Sequence, residues 1–325
     1  MNIREAKLNG IRAASEIHHN LKIDTHIKEG LESVDVFEAL HRLNIPTICR
    51  PLEGLLGAFL NNGEQQGILV TTNRRLPIQR FTAAHELGHY WLGHEQSLDT
   101  EETVQLARSA KNLAEIQEIE AEAFASEFLL PKSLLTKTAI RHNWKKADFK
   151  KPDIVYQLAL RTGTSYEATW RALLENNFID NQSAEHLSLT PPKSSKKVIL
   201  QGKTLTDSWA DVLHLRDKDN GAHFMASPDD IVLVELEEHS SSGYRWMGLP
   251  DNQQFKLISD ENKSALTDVI GSITSRNIYF QAKGSINLSM REQRPWQPPN
   301  TALKSFEVKI DFFGKEHGLP RAARN

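Results

Sequence analysis

The run HELGH at residues 85–89 carries the most chemistry in this sequence. His85 and His89 stand four residues apart, so on a helix of about 3.6 residues per turn they share a face and both imidazoles reach one cation. Glu86 sits about 100° further round the same helix. From there it faces a metal-bound water without ligating the metal. Two imidazoles and one carboxylate, with the fourth position left to water, form the usual catalytic set for zinc. Zinc brings the pKa of its bound water to about 7 and polarises a peptide carbonyl. Glu86 would take that water's proton and pass it to the leaving amine. The expectation is a metalloendopeptidase with one Zn2+ per chain. Gly88 costs a helix about 1 kcal/mol relative to alanine, so its presence predicts close packing at that point.

The set needs a third ligand. His94 is the nearest candidate, but Gly93 and His94 are out of register with the longer zinc motif that places a glycine and a third histidine after HExxH. His94 is therefore expected to be a structural or rim residue. Downstream, EIEAEAFASEFLLP (118–131) offers Glu118 and Glu122, four apart on one helix face, with Glu120 pointing roughly the other way. Glu118 is expected to bind the metal. Glu122 is expected to orient a ligating histidine from behind.

Helices must position these groups. Apolar spacing predicts helices over residues 1–20 and 34–43, from Arg80 to His94, and from about 101 to 129, where Pro131 ends the last. Residues 45–72 alternate apolar runs with Gly and Asn, which predicts a small antiparallel sheet or hairpin. Two or three further helices are expected over 132–178. Within them, 154–179 reads as two helices around a glycine turn. The second helix carries Glu167 and Glu175 beside Arg171, so it lacks the accumulated cations of a DNA-binding helix. A structural pair closing the domain is expected.

The segments RRLPIQRFTAAHELGHYWLGH and EIEAEAFASEFLLP together resemble the ImmA/IrrE family of metallopeptidases, as do VDVFEALHRLNIPTI and GILVTTNRR. The resemblance covers roughly residues 30–180. It implies His85, His89 and Glu118 as metal ligands and Glu86 as catalytic base. Glu122 stands where that family often has asparagine. The family commonly cleaves a helix-turn-helix repressor, so the resemblance implies a protein substrate of that kind.

Beyond residue 180 the composition changes. The stretch 181–206, polar with paired prolines, serines and lysines, is expected to be a linker. Strand-like runs follow, separated by Gly, Pro and Ser clusters, and predict an all-β sandwich over 207–313 with a tail at 314–325. Two runs there could present binding groups: HSSSGYRW and the rigid RPW, whose indole would make an anchor. These resemble the loops of chagasin-type cysteine-protease inhibitors, which are immunoglobulin-like sandwiches. The matching residues are Ser241, Ser242, Gly243, Tyr244, Arg294, Pro295 and Trp296. The Asn-Pro opening of the first loop is His239-Ser240 here, and GSITSRN (271–277) replaces the glycine-rich middle loop. The resemblance implies a papain-like protease, or another protein, as partner at these loops.

The fold class expected is therefore an α+β zincin-like, mostly helical metallopeptidase domain over 1–180, followed by an all-β immunoglobulin-like sandwich. The 325 residues carry a net charge of −3, which argues against direct nucleic-acid or anionic-membrane binding. Cys49 is the single cysteine, so no internal disulfide forms, and it is expected in a buried strand. The N-terminus lacks the apolar run of a secretory signal, and a cytoplasmic protein is expected.

Overall fold

Asn2 opens the first helix with a reciprocal cap. Its side chain accepts from the Glu5 amide, and the Glu5 carboxylate accepts from the Asn2 amide, so two otherwise orphaned donors are satisfied. The computed structural model describes residues 2–30, 32–61, 65–94, 98–99, 113–205, 207–263, 274–298 and 301–318. The N-terminal half contains α1 (Ile3–Asn20), α2 (Ile23–Glu29), α3 (Val36–Arg42), β1 (Thr47–Arg50), β2 (Gly57–Asn61), β3 (Gln66–Thr71), α4 (Leu76–Leu92), β4 (Leu98–Asp99), α5 (Leu113–Leu129), α6 (Lys132–His142), α7 (Pro152–Thr162), α8 (Tyr166–Glu175), α9 (Asn181–Leu189) and α10 (Pro192–Leu200). The predicted helical stretch 101–112 lies outside the described residues.

The small sheet has strand order β1-β3-β2-β4, and it is mixed rather than antiparallel. β2 and β3 form the expected hairpin, but β3 also pairs in parallel with β1. β3, which carries the buried Ile68 and Val70, takes a central place with both edges paired. Cys49 is half-buried on β1. α4 begins with Pro77 in its first turn and stops at Gly93, whose φ of 66° ends the helix.

The expected linker is largely helical. Asp180 caps α9 by accepting from the Ser183 amide, and Pro191-Pro192 starts α10 rather than breaking the chain. Ala184, Leu187, Ile199 and Leu200 are buried, an apolar face hidden within a polar composition. The helix pair α7–α8 turns at Gly163, and α7 buries Val155, Tyr156, Leu158 and Ala159.

The C-terminal half is a sandwich of two four-stranded sheets: β5-β7-β10-β9 and β6-β12-β11-β8. The strands are β5 (Val212–Arg216), β6 (His223–Met225), β7 (Ile231–Glu238), β8 (Arg245–Met247), β9 (Phe255–Lys263), β10 (Thr274–Ala282), β11 (Gly284–Gln293) and β12 (Lys304–Phe312). β11 and β12 alternate buried and exposed residues, as strands with one wet face must. β7 is buried almost throughout, because α7 and α10 cover part of its outer face. Of the expected middle loop, 274–277 starts β10, and 271–273 lies outside the described residues.

The two halves share a core. Tyr156, Ile199 and Leu200 pack with Val212, Ile231, Leu233 and Tyr279. Arg161 and Asp219 make a buried ion pair at 2.9 Å beside this cluster. Gln157 donates to the Val212 carbonyl and accepts from the His214 amide, both at 2.8 Å. Arg75 at the start of α4 meets Asp211 at 2.6 Å. One turn on, Gln79 exchanges hydrogen bonds with the Glu316 main chain, so the described part of the tail returns to α4. Among the described residues, no helix is long and apolar enough to cross a membrane.

Candidate metal centre

Three glycines let the elements around HELGH approach. A β-carbon on Gly88 would lie 3.1 Å from Ala121 Cα and Phe124 Cβ, so α4 and α5 touch nearly backbone to backbone. A side chain on Gly10 would overlap the Glu120 carbonyl oxygen, which seats α1 on the back of α5. On the other side, a β-carbon on Gly57 would lie 2.9 Å from Glu86 Oε1. β2 therefore runs directly along the turn of α4 that carries Glu86. Glu86 is fully buried there.

This packing gathers His85, His89 and Glu118, whose donor atoms lie within 4.8 Å of one another. The Nε2 atoms of the two histidines are 3.0 Å apart. Glu118 Oε2 is 3.1 Å from His85 Nε2, and Oε1 is 3.5 Å from His89 Nε2. Tetrahedral coordination with bonds of about 2.0–2.1 Å places ligand atoms roughly 3.3–3.4 Å apart, so the triangle fits one zinc-sized cation. Burial opposes ionisation of Glu118, but hydrogen bonds and charge from His85 and His89 outweigh it and hold the carboxyl well below the usual range.

A second layer of hydrogen bonds decides where the His89 proton sits. His94 Nε2 meets Glu120 Oε2 at 2.9 Å, and His94 Nδ1 meets His89 Nδ1 at 2.9 Å. Burial, then the neighbouring His89, pushes the His94 pKa down to about 4, so the ring is neutral at pH 7. A carboxylate only accepts, so the single His94 proton lies on Nε2 and its Nδ1 must accept. His89 therefore donates from Nδ1, and with an ion bound the lone pair of its Nε2 would be the one offered to the metal. That is the tautomer a metal ligand requires. Asn9 closes the chain by donating to Glu120 Oε1 at 2.6 Å.

His94 and Glu120 thus occupy the place expected of Glu122. Glu122 instead lines a cavity of about 520 Å³ together with His85. The spacing rule for HExxH does not find His94, but Gly93 does. The left-handed turn at Gly93 bonds the His94 amide back to the His89 carbonyl at 3.0 Å and folds the His94 ring under His89. Glu120 does point away from the metal face, as expected, and so reaches the back of His89 through His94.

The sandwich loops also meet. Gly243 has φ 81°, and a β-carbon there would lie 2.7 Å from the Trp296 ring. Arg294 donates to the Ser242 carbonyl at 3.1 Å and sits over Tyr244 at 4.8 Å. Trp296 is 71% exposed, and Ser241, Ser242 and Pro295 are exposed beside it. Core packing accounts for Trp246 instead, which is buried and donates to the Glu237 carbonyl.

Residues 41–174 match the family model of the IrrE N-terminal-like domain. Residues 226–310 match that of the chagasin family of peptidase inhibitors. The chain thus carries one region similar to a metallopeptidase family and a second similar to an inhibitor family. The peptidase-like region contains all three candidate ligands, and the inhibitor-like region contains both loops. Among solved structures, a cysteine protease inhibitor from Entamoeba histolytica is 21% identical, covering 32% of this chain and 98% of its own, with a TM-score of 0.30. Amebosin is 16% identical, covering 31% and 96%, with a TM-score of 0.27. No curated protein matches the chain.

Proposed function

We propose that the chain is a zinc-dependent endopeptidase acting on a protein substrate, a helix-turn-helix repressor or other regulatory protein met in the cytoplasm, with the sandwich as a protein-binding module. The convergence of His85, His89 and Glu118, with His85 at the edge of a mostly apolar cavity, carries this reading. His85, His89 and Glu118 would hold the ion. Zinc in such a set activates a water near neutral pH and polarises a carbonyl. Glu86 takes a proton onto its carboxylate and delivers it to the leaving amine. Its burial beside β2 keeps bulk water from competing for that proton. His94 and Glu120 hold His89 in its ligating tautomer.

The Glu86→Gln variant tests this. One zinc per chain should be retained, while hydrolysis of the protein substrate falls by roughly 10²–10⁴-fold. A purified chain that binds no divalent metal, or a variant that cleaves as fast as the wild type, would retire the proposal.

A second reading is favoured by the contact of Trp296 with Gly243, which joins the two inhibitor-type loops into one exposed edge. In it the chain inhibits a papain-like protease. Titrating the full chain against such a protease decides the matter: inhibition that Trp296→Ala removes supports this role, and no inhibition leaves the loops as a recruitment surface.

A further inference from the structure

The cavity beside His85 has four helical walls. α4 gives Ile78 and Phe81, α5 gives Ile119 and Ala123, and α8 gives Ala168 and Leu174. The fourth wall is α1, through Ile3 and Lys7. α1 ends at Asn20, ahead of the matched region 41–174. Gly10 presses α1 onto the backbone of α5 and so carries its first two turns to the cavity.

Most of the charges around the cavity are paired, with Glu122 the lining carboxylate outside those pairs. Lys7 pairs with Glu175 at 3.2 Å, from α1 to α8, and Arg171 pairs with Glu167 at 2.7 Å. The interior that remains is apolar, and His85 forms part of its edge. A volume of about 520 Å³ accommodates a leucine, methionine or phenylalanine side chain with adjoining backbone.

We propose that this cavity is the selectivity subsite of the peptidase: it takes one large apolar side chain next to the scissile bond, and α1 supplies its outer wall. The inference rests on the peptidase reading. A small or polar residue at that position leaves the cavity wet and forfeits the apolar burial. A basic residue would find Glu175 and Glu167 already engaged by Lys7 and Arg171 and would give up its hydration for a mostly apolar lining, with Glu122 as the remaining carboxylate.

The test uses the full, zinc-loaded chain and a peptide library made by digesting a whole proteome, with the new termini read by mass spectrometry. Leu, Met and Phe should be enriched at one fixed position beside the cut. For a matched peptide pair, Leu over Ala at that position should raise kcat/KM at least roughly 10-fold. The same pair titrated onto Glu86→Gln by calorimetry should show the same preference in Kd. Ala168→Phe, which fills the cavity from α8, should abolish the preference and leave the zinc content at the wild-type value. Ala123→Leu, on a different wall, repeats the test should Ala168→Phe fail to fold. Cleavage with no preference, or with a preference for Lys or Arg, would overturn the subsite and leave the peptidase standing. No cleavage of any peptide, together with equal binding of the two peptides, would overturn it too. An intact protein substrate that is also left uncut would retire the peptidase reading separately.

Discussion

The candidate metal centre and the sandwich loops are both polar constructions, and they are built in opposite ways. At the metal centre the functional groups are themselves framework. His85, His89 and Glu118 project from two long helices and are largely enclosed. In the sandwich the exposed groups lie on turns, and the buried carboxylates lie behind them. Glu238, fully buried, accepts from the Trp246 amide at 2.9 Å and from Arg245 and Asn262 at 2.8 and 2.7 Å. Glu292, also fully buried, accepts from the His239 amide at 2.7 Å and its ring at 2.9 Å. A reactive site gains from low dielectric and fixed donors, whereas a recognition edge must stay exposed and be stiffened from beneath.

The junction is where this contrast is most easily broken. Arg161→Leu would leave Asp219 as an uncompensated buried charge, at a cost of about 3–5 kcal/mol. Denaturant unfolding followed by both tryptophan fluorescence and circular dichroism should show a lower midpoint. Two well-separated transitions in the wild-type chain would instead mean that the halves fold independently despite their shared cluster.

The metal centre should respond to its second layer. His94→Ala removes the acceptor that holds the His89 proton, so zinc affinity should fall by roughly 10–100-fold. Competition with a chelator measures this, and an unchanged affinity would dismiss the relay. At the other end of the molecule, Trp296→Ala should change stability by less than about 0.5 kcal/mol, because its ring is mostly in solvent.

A subtler comparison lies within α5. Glu118 is held ionised by histidines, whereas Glu127 has no such help. Burial, then the charges of Asp24 and Glu175, pushes the Glu127 carboxyl up to about 7. The folded state then holds this proton more tightly than the unfolded chain, and stability falls as pH rises from about 4.5 to 7. Glu127→Gln should therefore raise Tm above pH 7, with the gain shrinking to nothing below about pH 4.5. A gain that is constant across pH would point to packing instead.

Much of the site was legible before any tertiary information. His85, Glu86 and His89 depend only on the helical period, and Glu118 follows from a second helix with the right face. Gly88 signalled its close neighbour correctly. The reading ran short where a residue acts across an element boundary. His94 looked out of register because the registers considered were those of direct ligands, while its role depends on the turn at Gly93. The 181–206 segment looked like a linker because composition hides the buried face of α9 and α10. The small sheet looked antiparallel because adjacency along the chain does not reveal that β3 inserts between β1 and β2.

The sequence by itself determined the local geometry: which imidazoles share a helix face, which strands alternate, and which loops carry an exposed indole. These follow from repeats of 3.6 and 2 residues, which are properties of the backbone. Only the tertiary structure decided that Glu118 comes within 3.1 Å of His85, that Glu120 reaches His89 through His94, and that α1 walls the cavity. Those distances join residues far apart along the chain. They are set by how closely α1, α4, α5 and β2 can pack, and therefore by the bare backbone at Gly10, Gly57 and Gly88.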